Sequence, residues 1–240
     1  MKKIFGACVC MTLLTCLSYA QMPEKFTNLQ YFPKDIAKKD LMQTMRTFSF
    51  SLGVRCEFCH VEGQDKKTDF ASDAKQEKQT ARAMLKMVDD INKSYIANLG
   101  KASAIQVQCV TCHRAVSRPQ PINALLLETI EKKDVKAAIT EYNDLRTKYY
   151  GSARYDFTET PLNQLSESLM AKDRAKDAAA IMEMNLELNK PVSNWTYSVL
   201  AMAHKQAGEK EKAKTDFEGI LSRQPDNKWA KEQLEEINKM

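Results

Sequence analysis

Apolar residues recur at helical spacing along this chain, and the first clear run ends at a glycine. The run at i, i+4, i+7 and i+11 consists of Leu41, Met45, Phe48 and Leu52. This spacing places all four side chains on one face of an α-helix. Asp40 is the predicted N-cap and Gly53 the predicted C-terminal stop. The pattern therefore predicts an amphipathic helix with Met45 on its apolar face and Met42 outside it.

A second amphipathic helix is predicted to begin at an N-cap, Ser72 or Asp73, and to end near Gly100. Its apolar face is formed by Met84, Met87, Val88, Ile91 and Tyr95. Almost no segment has the alternating pattern of a strand, and the chain contains only seven glycines and seven prolines. These features predict an all-α protein.

The pattern repeats in the second half of the chain. Pro191 and Pro225 are 34 residues apart, and so are Ala179 and Ala213. That period, with Ala and Pro at these offsets, is typical of tetratricopeptide repeats, in which each unit is a pair of helices. The clearest unit covers residues 194–227, a weaker one 160–193 and a degenerate pair 122–149, with a capping helix over 228–240. Because one repeat cannot bury its own apolar face, the units are expected to stack as a helical solenoid.

Two copies of the phrase Cys-x-x-Cys-His carry the candidate chemistry. They are Cys56–His60, the first attachment motif, and Cys109–His113, the second attachment motif. This phrase is the attachment signature of a c-type haem, in which both thiols become thioethers and the His binds the iron. The predicted covalent attachment residues are Cys56, Cys59, Cys109 and Cys112. His60 and His113 are the predicted axial ligands of two covalently bound haem c groups.

A zinc site made from two Cys-x-x-Cys knuckles is the alternative for these cysteines. Zinc ribbons usually separate their knuckles by about 15–20 residues, whereas 49 residues lie between Cys59 and Cys109. Zinc also gives no reason for a His after both second cysteines. A thioredoxin-like redox pair would need a single motif beside a βαβ pattern, which is not visible. Haem attachment is therefore the favoured interpretation.

The histidine count limits the second axial ligand. The chain has three histidines, and after His60 and His113 only His204 is left, in the repeat region. His204 is interpreted as a packing or surface residue. Two His ligands on both irons are therefore excluded, which leaves Met, another weak ligand or an open position. The chain has twelve methionines, so Met is the first candidate.

The N-terminus has the features of a secretory signal peptide. Lys2 and Lys3 precede an apolar run over residues 4–17, and Ala20 offers a small residue for cleavage. The run is short for a membrane span, and lipid attachment at Cys16 is a less favoured alternative. Thioether haems are assembled outside the cytoplasmic membrane, so both features predict a bacterial periplasmic protein.

Net charge gives no support to nucleic-acid binding. The formal charge is +5, but removal of Lys2 and Lys3 and addition of the haem propionates would bring the mature protein close to neutral. No basic stripe with interleaved aromatic residues is present either. We therefore expect protein partners and no nucleic acid.

Residues 28–120 resemble the cytochrome c subunit of photosynthetic reaction centres, and more closely its short diheme relatives from non-photosynthetic bacteria. The segments that carry the resemblance are Phe32-Pro33-Lys34-Asp35-Ile36, Met45-Arg46, 52–60, Phe70-Ala71-Ser72-Asp73 and 109–114. In that family most haems take a distal Met from a helix that precedes their own motif. The resemblance therefore implies Met45 for the first haem and Met87 for the second, with Met42 and Met84 as alternatives.

Two departures from that family limit what the resemblance implies. The chain has two attachment motifs rather than four, and it continues into the repeat region. Pro119 and Pro121 mark the expected boundary, which predicts a signal peptide over 1–20, a small diheme cytochrome c domain over 21–121 and tetratricopeptide-like repeats, the tail, over 122–240. The resemblance implies electron transfer but not photosynthesis.

The favoured hypothesis is a periplasmic electron carrier and not an enzyme. It would relay single electrons between an unidentified donor and acceptor, and the tail would dock it to a redox partner or a larger membrane-associated complex. A diheme peroxidase and a redox sensor or assembly scaffold are the alternatives. Four arginines are candidates to pair with haem propionates, although each is equally expected to be an ordinary solvated side chain: Arg55, Arg82, Arg114 and Arg118.

Overall fold

The structure is a computed structural model that describes residues 23, 25–63, 66–100 and 105–239. The predicted signal peptide, with Cys16 and its alternative role, lies outside the described residues. So does Met240, the last residue of the predicted capping helix. No helix within the described ranges is long and apolar enough to cross a membrane.

Helices make up almost all of the regular structure, which confirms the predicted all-α class. The elements before residue 120 are α1 (Lys38–Leu52), α2 (Cys56–Cys59), β1 (Val61–Glu62), β2 (Thr68–Asp69), α3 (Gln76–Asp90) and α4 (Cys109–His113). The later ones are α5 (Ile122–Lys132), α6 (Val135–Tyr149), α7 (Glu159–Met170), α8 (Ala175–Leu188), α9 (Asn194–Gln206), α10 (Lys210–Arg223) and α11 (Lys228–Lys239). The two strands form a small antiparallel hairpin in which Val61 pairs with Asp69.

The chain divides into two compact units. Of the described residues, the first unit contains those up to Phe50 together with Val54–Cys109, and the second contains Ser51–Gly53 together with those from Val110 onwards. The division falls inside the second attachment motif, after its first cysteine. The second unit therefore contains most of that motif as well as the tail.

Helix α1 matches the predicted amphipathic helix except at its start. It begins two residues before Asp40, so this carboxylate lies in the first turn and is not the cap. The predicted stop is confirmed, because Gly53 follows the last residue with φ +66°, a left-handed conformation that favours glycine. Leu41 is 4% exposed, whereas Met45 is only half-buried.

The second predicted helix starts later than expected and changes its winding near its end. Its N-cap is Lys75, and neither predicted cap is correct. The Ser72 hydroxyl instead accepts from the Ala74 N–H, and Asp73 binds Arg82. After α3 the chain continues as one π-helical turn, Ile91–Tyr95, and a short 3₁₀ turn, Ile96–Asn98.

The helices of the tail pair in chain order. Contacts join α5 to α6, α7 to α8 and α9 to α10, and α11 packs on α10. The first helices of successive pairs also touch, α5 with α7 and α7 with α9. These ranges agree with the four helical segments expected from the repeat pattern, and Gly208 forms the turn between α9 and α10 with φ +77°.

A conventional apolar core fills the tail. Its fully buried members include Leu126, Tyr142, Leu162, Ile181 and Phe217. Three buried polar side chains connect α7, α8 and α9: Asn185 donates to Asn163 (Nδ2–Oδ1, 2.8 Å), and Asn163 donates to Thr196 (Nδ2–Oγ1, 2.8 Å). Because these polar groups form hydrogen bonds with one another, their burial does not destabilise the tail. The bonds instead favour this one packing of α7, α8 and α9.

Candidate haem-attachment sites

The first attachment motif forms a single helical turn. Helix α2 brings Cys56 and Cys59 to positions i and i+3, which lie on the same side of a helix. Both sulfurs are free thiols, Cys56 exposed and Cys59 half-buried. The N–H of His60 donates to the Cys56 carbonyl (3.0 Å), and Lys75 donates to the Glu57 carbonyl. The turn therefore presents two thiols and a following imidazole in a fixed order.

The imidazole of His60 is oriented by an aromatic ring. Phe70 packs edge-on against it, with the ring centroids 5.0 Å apart. Burial lowers the pKa of His60 below its ordinary value, and the charge of Lys78 lowers it further. The ring is therefore held in the neutral form that binds a metal ion. Its Nδ1 is buried without a hydrogen-bond partner in the described part of the chain.

Lys78 holds the loop that carries Phe70. Its ammonium group donates to the carbonyls of Phe70 (2.9 Å), Ala71 (3.0 Å) and Ser72 (2.8 Å), and its side chain is 11% exposed. Asp69 supports the same loop, because its carboxylate accepts from the N–H groups of Ala71 and Ser72. Sequence analysis missed this role of Lys78, since a lysine on an amphipathic helix is normally interpreted as solvated.

Two of the four candidate arginines for propionate binding are already paired with carboxylates. Arg82 binds Asp73 at 2.8 Å, and Arg118 binds Glu128 at 3.1 Å. The Arg82 hydrogen bond holds the pKa of Asp73 well below its usual range. Arg55 is exposed and forms no ion pair within the described residues. Its charge is therefore available to pair with a propionate.

A paired hydrogen bond holds the segment that leads into the second attachment motif. The side chain of Asn92 donates to the Val107 carbonyl and accepts from the Val107 N–H, both at 2.8 Å. Asn92 lies in the π-helical turn after α3, a local widening that is frequent at functional sites. This contact fixes the backbone two residues before Cys109, and no sequence motif indicated it.

His113 is positioned by a backbone carbonyl. Its Nδ1 lies 3.0 Å from the Val116 oxygen. Because a carbonyl only accepts, Nδ1 carries the proton, and Nε2 is left with the lone pair that binds a metal. Arg114 and Ala115 make the turn that brings Val116 back to the ring, with φ +48° and +62°.

The end of α1 touches this turn. The Ala115 N–H donates to the Ser51 carbonyl (2.8 Å). A Cβ atom at Gly53 would lie 2.2 Å from the Ala115 carbonyl oxygen, which is closer than any real contact. Gly53 is therefore required twice, for its left-handed φ and for the close approach of the turn.

The candidate distal methionines lie on the two long helices of the first unit. Met42 and Met45 are on α1 and partly buried. Met84 and Met87 are on α3 and remain 40% and 44% exposed. Neither of the α3 pair contributes to an apolar core, so both thioethers are accessible to a bound group.

The remaining histidine is far from this chemistry in sequence and has different neighbours. His204 is 3% exposed and lies between Asp216 (Nδ1–Oδ2, 2.6 Å) and Glu183 (Nε2–Oε1, 3.3 Å). The zinc alternative needs several ligands in one coordination sphere. Within the ranges that the structure describes, no three His, Cys, Asp or Glu side chains form such a group.

The residues of both motifs fit covalent haem c. Each motif presents two cysteines from one short helix, followed by an imidazole that has a defined neighbour. Haem, when bound, supplies a one-electron iron couple. The protein contributes the thioether links, the axial nitrogen and the surroundings of both.

Comparison with known families and proteins agrees with this chemistry. Residues 24–210 match the family described as the photosynthetic reaction centre cytochrome c subunit. A segment of 65 residues is 43% identical to cytochrome c-554 of Chloroflexus aurantiacus. That segment is 27% of this chain, and the match spans only 14% of the relative's length. No solved structure matches. The family match extends beyond residue 120, so the family region is longer than the resemblance in the sequence alone suggested.

Proposed function

This chain belongs to the photosynthetic reaction centre cytochrome c subunit family, and from that premise we propose that it is an exported diheme cytochrome that relays single electrons between redox partners. The family and the relative make it a c-type cytochrome of electron transfer with covalently bound haem c. The number of haems, the compartment and the partners are the parts that we propose.

The observation that carries the proposal is the presence of two complete attachment motifs, each with an organised imidazole. His113 is fixed by the Val116 carbonyl and His60 by the Phe70 ring. Both motifs are therefore proposed to bind haem c, through Cys56 and Cys59 in the first and through Cys109 and Cys112 in the second.

We propose Met45 and Met87 as the distal ligands. Support comes from the family pattern, in which the distal Met precedes the motif, and from the accessible thioethers of α3. Ligation by His and Met raises the iron potential and leaves no free coordination position, which suits a carrier better than a peroxidase. Met42 and Met84 lie one turn earlier and are the alternative ligands.

The proposed domain division is a signal peptide over 1–20, a diheme domain over 21–121 and a tetratricopeptide-like tail over 122–240. The sequential pairing of α5 to α10 and the contacts between first helices support the solenoid interpretation of the tail. Its proposed role is to dock a redox partner or a larger membrane-associated complex. The basic start and apolar run support export to the periplasm, with lipid attachment at Cys16 as the less favoured alternative.

Mass spectrometry of the exported protein tests the proposal directly. We expect cleavage after Ala20 and an added mass of two haems. The double variant Cys56→Ala/Cys59→Ala and the double variant Cys109→Ala/Cys112→Ala should each retain one haem. A wild-type protein with a single haem, produced in a host competent for cytochrome maturation, would contradict the diheme proposal.

Near-infrared absorption tests the distal ligands. The charge-transfer band between methionine sulfur and ferric iron should be present for both haems, and Met45→Ala and Met87→Ala should each remove about half of it. Retention of the full band in both variants would assign the ligands elsewhere, with Met42 and Met84 next. A high-spin signal in the wild type, together with peroxide turnover, would favour the enzyme alternative.

A further inference from the structure

The loop between α6 and α7 contacts the residue that directly follows the second attachment motif. The Arg154 Nε donates to the Arg114 carbonyl, and Arg114 Nη1 donates to the Ala153 carbonyl, both at 3.1 Å. Arg154 thus binds the backbone of Arg114, and Arg114 binds the backbone of the residue before Arg154. Both residues belong to the second unit, although 40 positions separate them in the chain.

The turn that these contacts hold has an unusual backbone. Arg114 and Ala115 are consecutive left-handed residues without glycine, a conformation that persists only when neighbouring groups fix it. Arg154 binds the carbonyl of the first, and the Ser51 carbonyl accepts from the N–H of the second. The turn is therefore held from two sides.

This turn sets the position of the proximal imidazole. It reverses the chain so that Val116 N–H donates to the His113 carbonyl (2.8 Å) and the Val116 carbonyl accepts from His113 Nδ1 (3.0 Å). We propose that Arg154 is a positioning residue for His113 and acts through the turn at 114–115. The inference rests on the proposed function, because it takes the second motif to bind haem.

Arg154 is itself fixed by the core of the tail. Its guanidinium lies 4.8 Å from the centroid of the Tyr149 ring. Tyr149 packs on Tyr155, which packs on Phe157, with centroid distances of 5.7 and 6.1 Å. Phe157 is 7% exposed and belongs to the main apolar cluster. A chain of side-chain contacts therefore connects the core of the tail to the turn beside the second attachment motif.

The connection has a chemical consequence for the axial ligand. A histidine that donates its Nδ1–H to a carbonyl is a more basic ligand at Nε2, and a more basic ligand favours ferric iron. Removal of Arg154 releases the Arg114 carbonyl and lets the turn and Val116 move. The hydrogen bond to His113 then weakens, so the midpoint potential of the second haem rises.

Redox titration of the full-length diheme protein tests this. In Arg154→Ala one midpoint potential should rise while the other stays at its wild-type value. The paramagnetically shifted ring-proton resonances of one proximal histidine should move with it in NMR spectra. Arg154→Lys keeps a donor near the Arg114 carbonyl and should recover part of the shift.

Lys148→Ala is the matched control. Its ammonium lies 5.0 Å from the centroid of the same Tyr149 ring, and it has no bond to the 114–115 turn. It should leave both potentials unchanged. An equal shift in Lys148→Ala would mean general loosening of the loop and would overturn the proposal, as would unchanged potentials in a folded Arg154→Ala.

Two further measurements keep the outcomes separate. If Arg154→Ala does not fold, Arg154→Met replaces it: that variant keeps a long side chain beside Tyr149 but has no donor for the Arg114 carbonyl, so a rise of one potential supports the proposal and no shift contradicts it. The wild-type mass counts the haems independently. A single haem would refute the diheme function, whereas two haems without any shift would refute only the role of Arg154.

Discussion

The first unit and the tail differ in whether their apolar side chains are buried or exposed. In the tail, each of the seven helices from α5 to α11 buries at least two side chains. In the first unit, α2 and α3 bury none, and Leu41 is the one fully buried apolar residue among those described. Large apolar groups there are exposed instead, including Phe50 (79%), Tyr95 (68%) and Ile105 (63%).

This difference indicates two ways to stabilise a small helical unit. The tail relies on buried apolar area, which is the dominant favourable term in folding. The first unit has hydrogen bonds instead of a buried apolar core. Lys78 donates to three backbone carbonyls, and Asn92 donates to the Val107 carbonyl. We expect a covalently bound macrocycle to cover some of its exposed apolar side chains. We therefore expect the first unit, and not the tail, to depend on haem for its fold.

Removal of all four attachment thiols tests this with the largest expected effect. In the full chain carrying Cys56→Ala, Cys59→Ala, Cys109→Ala and Cys112→Ala, the first unit should unfold because it lacks an apolar core. The far-ultraviolet circular dichroism should lose the contribution of α1 and α3, which are 15 residues each. Limited proteolysis should leave a resistant fragment that begins close to α5. If α1 and α3 resist proteolysis in this variant as well as they do in the wild type, haem is not needed for the fold of the first unit.

Core truncation in the tail gives the next largest effect. Leu162→Ala removes a side chain that is 0% exposed and should lower the free energy of unfolding of the tail by about 2–5 kcal/mol. Denaturant titration followed by tryptophan fluorescence measures it, since both tryptophans, Trp195 and Trp229, lie in the tail.

Leu99→Ala is the corresponding change in the first unit. Leu99 is 57% exposed, so its truncation creates no cavity and should leave the tryptophan transition in place. An equal loss of unfolding free energy in Leu99→Ala and Leu162→Ala would contradict the proposed difference between the first unit and the tail.

Lys78 and Lys86 provide a smaller comparison within α3. Lys78→Met removes the ammonium group that binds the carbonyls of Phe70, Ala71 and Ser72 and should destabilise the first unit by about 1–3 kcal/mol. Lys86→Met breaks only an exposed i,i+4 pair with Asp90 and should leave the stability of the first unit almost unchanged. Thermal loss of the Soret and near-infrared bands reports on both. Similar melting of the two variants would contradict the structural role of Lys78.

Local patterns predicted the helices of the tail well, whereas the haem-attachment role of both motifs stays a prediction. Gly208, Pro225 and the spacing of Ala213 located α9, α10 and their turn to within a few residues, because helix ends depend on nearby residues. The thiols and imidazoles of both motifs were evident for the same reason, since their chemistry is contained in five consecutive positions.

Contacts between distant segments could not be predicted in this way. Asp73 has the sequence of an N-cap, but Arg82 and Lys78 take its carboxylate, and the helix begins at Gln76 instead. The sequence assigned Arg154 no role, because nothing in its neighbourhood indicates a contact with Arg114. Such roles depend on which distant segments pack together in the folded chain, and a single sequence does not show those contacts.

The smallest expected effect is a pH dependence of stability that comes from His204 and is limited to the tail. Burial alone would lower its pKa, but the hydrogen bond and charge of Asp216, together with the hydrogen bond to Glu183, raise it above its ordinary value. Glu209 lies 3.9 Å from the same ring, and Lys212 bridges Glu183 and Glu209. Protonated His204 can donate to a carboxylate from each ring nitrogen, and the neutral ring can donate from only one.

The sign of the pH dependence follows from this raised pKa. Since folding raises it, the contribution of His204 to stability is fully present below its unfolded value and is lost as pH rises through its folded value. The tryptophan-monitored melting temperature of the tail should therefore fall as pH increases above about 6.5. His204→Gln should flatten that dependence, while the haem bands of the first unit stay unchanged across the same range. A wild-type melting temperature that rises with pH over this interval would show that Asp216 and Glu183 do not bind the charged ring.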